Sequence, residues 1–201
     1  IHIIEATAYE QRMGKTSFAR AYPSYQAIVV NNRYSEKNSL NFGLILFHEF
    51  LHVKAPMTME VQEHIEGQPE NSVSRRGISV LSSLISNKKD QKHSHFDGLH
   101  EAIVSEAEVQ FFPKILNHPL LQEQKKWLDS EKATVRKNQI AQSKQIPIDE
   151  IYWVSDATSE YQHFSYKSQR DTLRYVCAEI QKEFPETFQN QQQVFDLFLQ
   201  S

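Results

Sequence analysis

Ser39-Leu40-Asn41-Phe42-Gly43-Leu44-Ile45-Leu46-Phe47-His48-Glu49-Phe50-Leu51-His52-Val53-Lys54 is the stretch on which the fold turns. Asn38 or Ser39 stands where an N-cap belongs, and Pro56 lies beyond the far end. A helix over roughly Asn38 to Lys54 follows. With His48 at 0° on a helical wheel, Asn41, Ile45, His52 and Glu49 share an arc from about 20° to about 100°. Phe42, Leu44, Leu46, Phe47, Phe50, Leu51 and Val53 take the rest of the circumference. A helix apolar nearly all round is expected to be buried. Two imidazoles and a carboxylate buried with it are costly unless something satisfies them, and a metal ion would.

His48 and His52 lie about 40° apart and one turn apart in height. Imidazoles so placed can each give a nitrogen to one zinc ion at about 2.0–2.1 Å. Glu49, about 100° round from His48, is offset from that line and placed to take a proton from a water on the metal. Catalytic zinc usually has three protein ligands and an open position. The metzincin extension would need glycine at position 55 and histidine at position 58, where Ala55 and Thr58 stand. The better source is Gly98-Leu99-His100-Glu101-Ala102-Ile103, inside a second helix expected from Asp97 to Phe112 and stopped by Pro113.

On that helix Glu101 borders a core-facing stripe of Val104, Phe111 and Ile115, where a carboxylate needs a compensating cation. Glu108 falls about 340° round and about 10 Å up the axis, which suits a hydrogen bond to a ligand histidine, and Ser105 sits near 40°. Glu106, near 140° beside Gln110, is expected to face solvent. Asp97 is expected to cap the helix with its carboxylate on free backbone N–H groups. Asp97, His93 and His95 stay open as alternative ligands.

The two segments His48-Glu49-Phe50-Leu51-His52 and Leu99-His100-Glu101-Ala102-Ile103 together resemble the gluzincin zinc peptidases, the thermolysin-like clan, and its compact minigluzincins most in size. The resemblance covers about residues 25–112. It implies His48, His52 and Glu101 as zinc ligands, Glu49 as general base, and a downstream tyrosine or histidine as donor to the oxyanion, for which Tyr166 comes first and His163 second, with Tyr161 beside them. His100 stands where the clan has asparagine, Ser105 where it has an acid, and 49 positions separate His52 from Glu101.

The expected fold class is α+β: a small twisted sheet packed on the buried 38–54 helix, with a cleft between that helix and the second one. Residues 1–118 would form the catalytic core and 119–201 a helical subdomain completing the cleft. Residues 1–34 read as β-rich, and 77–83 as one strand among polar loops. A strand at 27–31 or at 77–83 would edge the cleft and pair with an extended peptide. Beyond Pro113 lie polar helical stretches near 119–142, then helices at about 168–183 and 186–200 divided by Pro185.

The chain has 201 residues, 39% of them hydrophobic, which is enough for a real core, and a formal charge of −3, which gives no pull toward nucleic acid or anionic lipid. No run approaches 18 apolar residues, so no membrane segment is expected. Cys177 is the single cysteine, so no intrachain disulfide forms; that fits a reducing, cytoplasmic setting. A start at Ile1 rather than methionine fits removal of a signal peptide or an upstream domain. Cys177 reads as a packing residue, His2, His64 and His118 as surface residues, and Lys88 to Lys92 as an exposed loop. The function expected is zinc-dependent hydrolysis of a peptide or protein substrate. The alternatives are a catalytically idle zinc-binding regulatory or scaffold domain and a zinc hydrolase of a non-peptide bond.

Overall fold

Asn38 opens the long helix as its sequence suggests: its Oδ1 accepts the backbone N–H of Asn41 at 3.0 Å, satisfying one of the free N–H groups of the first turn. The computed structural model describes residues 1–14, 18–32, 38–61, 70–86 and 89–201. Among these the chain is mixed α and β, with nine strands in three small sheets and seven α-helices. His64 and Lys88 lie outside the described residues.

By contacts the chain divides into two units, residues 1–50 with 107–165 and residues 51–106 with 166–201. This is not the division at 118/119 expected from the sequence; each unit takes two separate stretches of chain.

The first unit begins with β1 (His2–Ile4), α1 (Ala6–Met13), β2 (Ala19–Tyr22) and β3 (Ala27–Asn31). The three strands form a sheet in the order β1-β3-β2, parallel between β1 and β3 and antiparallel between β2 and β3. Helix α1 replaces part of the expected β-rich stretch. Because β3 has a neighbour on each side, the 27–31 strand has no free edge for a peptide.

Helix α2 (Ser39–Lys54) as far as Phe50, and α3 (Asp97–Leu116) from Ala107 on, follow. Leu40 of α2 is fully buried in a core with Leu121, Leu128, Ala133, Ile151 and Val154. Leu44 packs with Tyr152 and Phe164. Those partners come from α4 (Gln122–Leu128), α5 (Glu131–Lys144) and the hairpin of β8 (Ile151–Val154) and β9 (Tyr161–His163), with their flanking turns. Burial of each such side chain contributes about 1.5–3 kcal/mol. Helix α2 is not buried all round: Phe50 is 53% exposed. Pro113 sits inside α3 rather than ending it. Proline removes one N–H and crowds the preceding turn, yet neighbouring packing carries the helix on to Leu116. The stretch near 119–142 is two helices, α5 being capped by Ser130, whose Oγ accepts the N–H of Ala133 at 3.2 Å.

The second unit holds a four-stranded antiparallel sheet in the order β4-β5-β6-β7, from β4 (Met57–Val61), β5 (Glu70–Arg76), β6 (Ser79–Ser86) and β7 (Lys89–His95). The single strand expected at 77–83 is thus β6, an inner strand, and the expected loop near 89–92 is part of β7. With β6 paired on both sides, its backbone cannot receive a substrate strand. Gly77 is the first residue of the two-residue loop between β5 and β6 and has φ +56°, a conformation glycine adopts without a Cβ penalty. Its N–H donates to the Pro56 carbonyl at 2.8 Å, pinning the hairpin to the chain leaving α2. Helices α6 (Lys167–Glu183) and α7 (Gln191–Gln200) complete the unit, with Leu173, Cys177, Val194 and Phe195 buried. No helix among the described residues is long and apolar enough to cross a membrane.

Candidate metal centre

Within the first unit, α2 and α3 are antiparallel neighbours. A Cβ on Gly43 would stand 2.5 Å from Ile115 Cδ1, so glycine there admits the close approach. Phe47 stacks on Phe111 with ring centroids 4.0 Å apart and planes 14° from parallel. One residue on, His48 Nδ1 donates to Glu108 Oε2 at 3.1 Å. A carboxylate on one ring nitrogen fixes the tautomer and turns the other nitrogen, Nε2, into the lone-pair donor.

Within the second unit His52 is 6% exposed. Its Nε2 lies 3.4 Å from Glu101 Oε1, and its Nδ1 lies 3.1 Å from His100 Nε2. Bonds of about 2.0–2.1 Å in a tetrahedral arrangement separate two ligand atoms by about 3.3–3.4 Å, and the His52–Glu101 distance meets that requirement. His48 and His52 are held a turn apart by α2 itself. The donor atoms of His48, His52 and Glu101 all lie within 4.8 Å of one another, so the group can hold a metal ion. Two imidazoles and one carboxylate, two of the three already oriented through their Nδ1 atoms, form a donor set that suits zinc.

His100, absent from the site expected from sequence, is the residue that holds His52. It is 5% exposed, and burial first, then the neighbouring His52, lowers its pKa to about 4. It therefore stays neutral near pH 7 and can accept a hydrogen bond. The signal for it was the histidine standing next to Glu101 in place of the clan's asparagine. Gly77 backs it: a Cβ there would stand 3.0 Å from both His100 Cε1 and Nδ1.

The remaining expected residues are placed as follows. Glu49 follows His48 on α2 and is half-buried. Ser105 is fully buried. Tyr166 occupies the N-cap position of α6 with φ 57° and is 40% exposed. His163 Nδ1 donates to the Phe164 carbonyl at 3.0 Å, and Tyr161 stacks against its ring at 6.0 Å. The structure gathers none of these into the three-residue group. His93 and His95 are exposed on β7 and are likewise outside it.

Two expectations need correction. The Asp97 carboxylate accepts from the Ser79 and Ser94 hydroxyls, not from backbone N–H groups. Those bonds, Ser79 first, hold its pKa below the ordinary aspartate value. Glu106 does not face solvent. It is 8% exposed, and its carboxylate meets Arg174 at 2.9 and 3.1 Å and the fully buried Arg170 at 3.6 Å. The wheel placed Glu106 on the polar side of α3 correctly, but α6 covers that side with its own arginines.

No family model, curated protein or solved structure matches the chain.

Proposed function

We propose that the chain is a zinc-dependent peptidase. The observation that carries this reading is the convergence of His48, His52 and Glu101, with Glu49 set beside the first ligand. His48 and His52 would bind through Nε2 and Glu101 through a carboxylate oxygen. Zinc held there supplies a Lewis acid that lowers the pKa of a coordinated water to about 7. Glu108 and His100 keep the two imidazoles in the tautomer that leaves Nε2 free of its proton. Glu49 takes a proton from the attacking water while the water oxygen bonds to the scissile carbonyl carbon. The same carboxylate then delivers that proton to the leaving nitrogen as the C–N bond breaks, and so ends the cycle ionised. Tyr166, or His163 in its place, is the candidate donor to the carbonyl oxygen, with Tyr161 next; such a donor contributes about 10²-fold or more.

Replacing Glu49 with Gln tests the reading. Zinc content measured by mass spectrometry should stay near wild type while turnover on a broad peptide library falls by about 10²–10⁴-fold or more. Full activity in Glu49→Gln would remove the general-base role. Zinc uptake by the wild type without hydrolysis of any peptide would favour a zinc-binding scaffold or a hydrolase of another bond.

A further inference from the structure

Arg76 closes the hairpin of β5 and β6 in the second unit, directly opposite Ser79. Residues opposite one another on paired strands share a face of the sheet. Ser79 shows which face this is: its hydroxyl donates to Asp97 in the first turn of α3, the turn that leads to Glu101. Gly77, next to Arg76, stands against the His100 ring of the same turn. The guanidinium therefore lies on the side of the sheet that meets the head of α3. After the serine hydrogen bonds at Asp97, and after burial and His52 at His100, the Arg76 charge also lowers both pKa values, so it is within electrostatic reach of that turn.

The fold leaves this cation without a partner. Arg76 Nε is buried and has no hydrogen-bond acceptor, and no described carboxylate forms an ion pair with the side chain. The two carboxylates at the head of α3 are engaged elsewhere, Asp97 with the Ser79 and Ser94 hydroxyls and Glu101 with His52. A half-buried guanidinium without an acceptor is a cost that a bound carboxylate removes, because two carboxylate oxygens match its planar donors in pairs. Two apolar side chains share its face of the sheet. Met57 lies opposite Arg76 on β4 and is 50% exposed, and Leu81 lies two residues beyond Ser79 on β6 and is 40% exposed.

We propose that Arg76 makes the site specific for the carboxyl end of a peptide: the guanidinium takes the terminal carboxylate, and Met57 and Leu81 receive an apolar side chain of the last residue. A cation with apolar neighbours favours a terminal carboxylate over an acidic side chain, because an apolar residue at the end of a chain offers both groups at once. Cleavage near that end rests on the zinc peptidase reading; the carboxylate contact itself does not.

The test compares three otherwise identical peptides on the zinc-loaded full chain: one ending in leucine with a free carboxylate, its carboxamide, and a carboxamide ending in aspartate. The free acid should be cleaved with a kcat/KM about 10–100-fold above that of its carboxamide. Arg76→Gln should bring the two to within about twofold of each other, and Arg76→Lys should restore part of the difference. A mere loss of folded protein would lower both rates and leave their ratio standing. Binding is read separately, by calorimetric titration of acetyl-leucyl-leucine and its carboxamide into the chelator-treated chain. The acid should bind about 10-fold or more tightly than the amide in wild type, and no more tightly in Arg76→Gln. Equal turnover of acid and carboxamide, or cleavage of the aspartate peptide as fast as the free acid, overturns the proposal. In a chain that hydrolyses no peptide, acid binding that depends on Arg76 keeps the carboxylate contact and removes the peptidase reading instead, whereas equal binding of acid and amide, or none, overturns the contact as well.

Discussion

Glu101 and Glu106 lie five residues apart on the same helix, and their surroundings differ in kind. Glu106 is held by two guanidinium groups, Arg170 and Arg174, which are charged at every ordinary pH. Glu101 meets the imidazole of His52, which is held by a second histidine, His100, that burial keeps neutral near pH 7. One carboxylate has its countercharge built into the chain. The other belongs to a group with His48 and His52 that can hold a metal ion. A charged residue inside a helix therefore says little until its neighbours are known: the same residue type serves packing in one place and offers a ligand atom in the other.

Exchanging the two roles breaks the comparison most directly. Glu106→Ala should cost about 3–5 kcal/mol of stability, because it removes the carboxylate that faces both the fully buried Arg170 and Arg174. Zinc uptake by the fraction that folds should be unchanged. Glu101→Ala should do the opposite, leaving the chelated protein about as stable as wild type in urea while zinc affinity falls by more than 10²-fold. If Glu101→Ala keeps its zinc under chelator competition, the third ligand is Asp97, His93 or His95.

A smaller effect is expected from the groups that hold the histidines. Glu108→Ala and His100→Ala should each weaken zinc by about 10–100-fold, as read by competition with a chromophoric chelator. His100→Asn should recover part of the loss, since an amide oxygen can also accept from His52 Nδ1. Gly77→Ala places a methyl against the His100 ring and forces an L-residue to φ +56°, so it should mimic the His100 variant in direction.

The smallest expected effect concerns Asp97. Hydrogen bonds from Ser79 and Ser94 lower its folded pKa below the ordinary value of 3.8. A depressed carboxylate contributes stability that is present above the unfolded pKa and lost as pH falls through the folded one. Asp97→Asn should therefore be slightly less stable than wild type at neutral pH. The difference should shrink as urea titrations are repeated below about pH 4. A gap between the two proteins that widens on acidification would show that Asp97 stabilises the fold by another route.

Some features were open to reading because their physics is local. The four-residue spacing of His48 and His52 sets their common face through helix geometry alone, and the Asn38 cap and the proximity of Glu108 to His48 follow from the same periodicity. The apolar run Ile151-Tyr152-Trp153-Val154 carried a strand signal in its β-branched and aromatic residues, and that signal was missed. The four-stranded sheet left less trace. Glu70-Asn71-Ser72-Val73-Ser74-Arg75-Arg76 and Lys89-Asp90-Gln91-Lys92-His93-Ser94-His95 are polar throughout, so no alternation marks them, and their strand character comes from pairing with the more apolar β6.

The sequence by itself determined the helix that carries His48, Glu49 and His52, the placing of Glu101 on a second helix, and, with Cys177 alone, that these residues hold no cluster of thiolates. Tertiary structure alone decided which groups surround those side chains. It set arginines of α6 against Glu106, a loop glycine against His100 and His100 against His52, because long-range burial and charge pairing act between residues that are 23 to 68 positions apart.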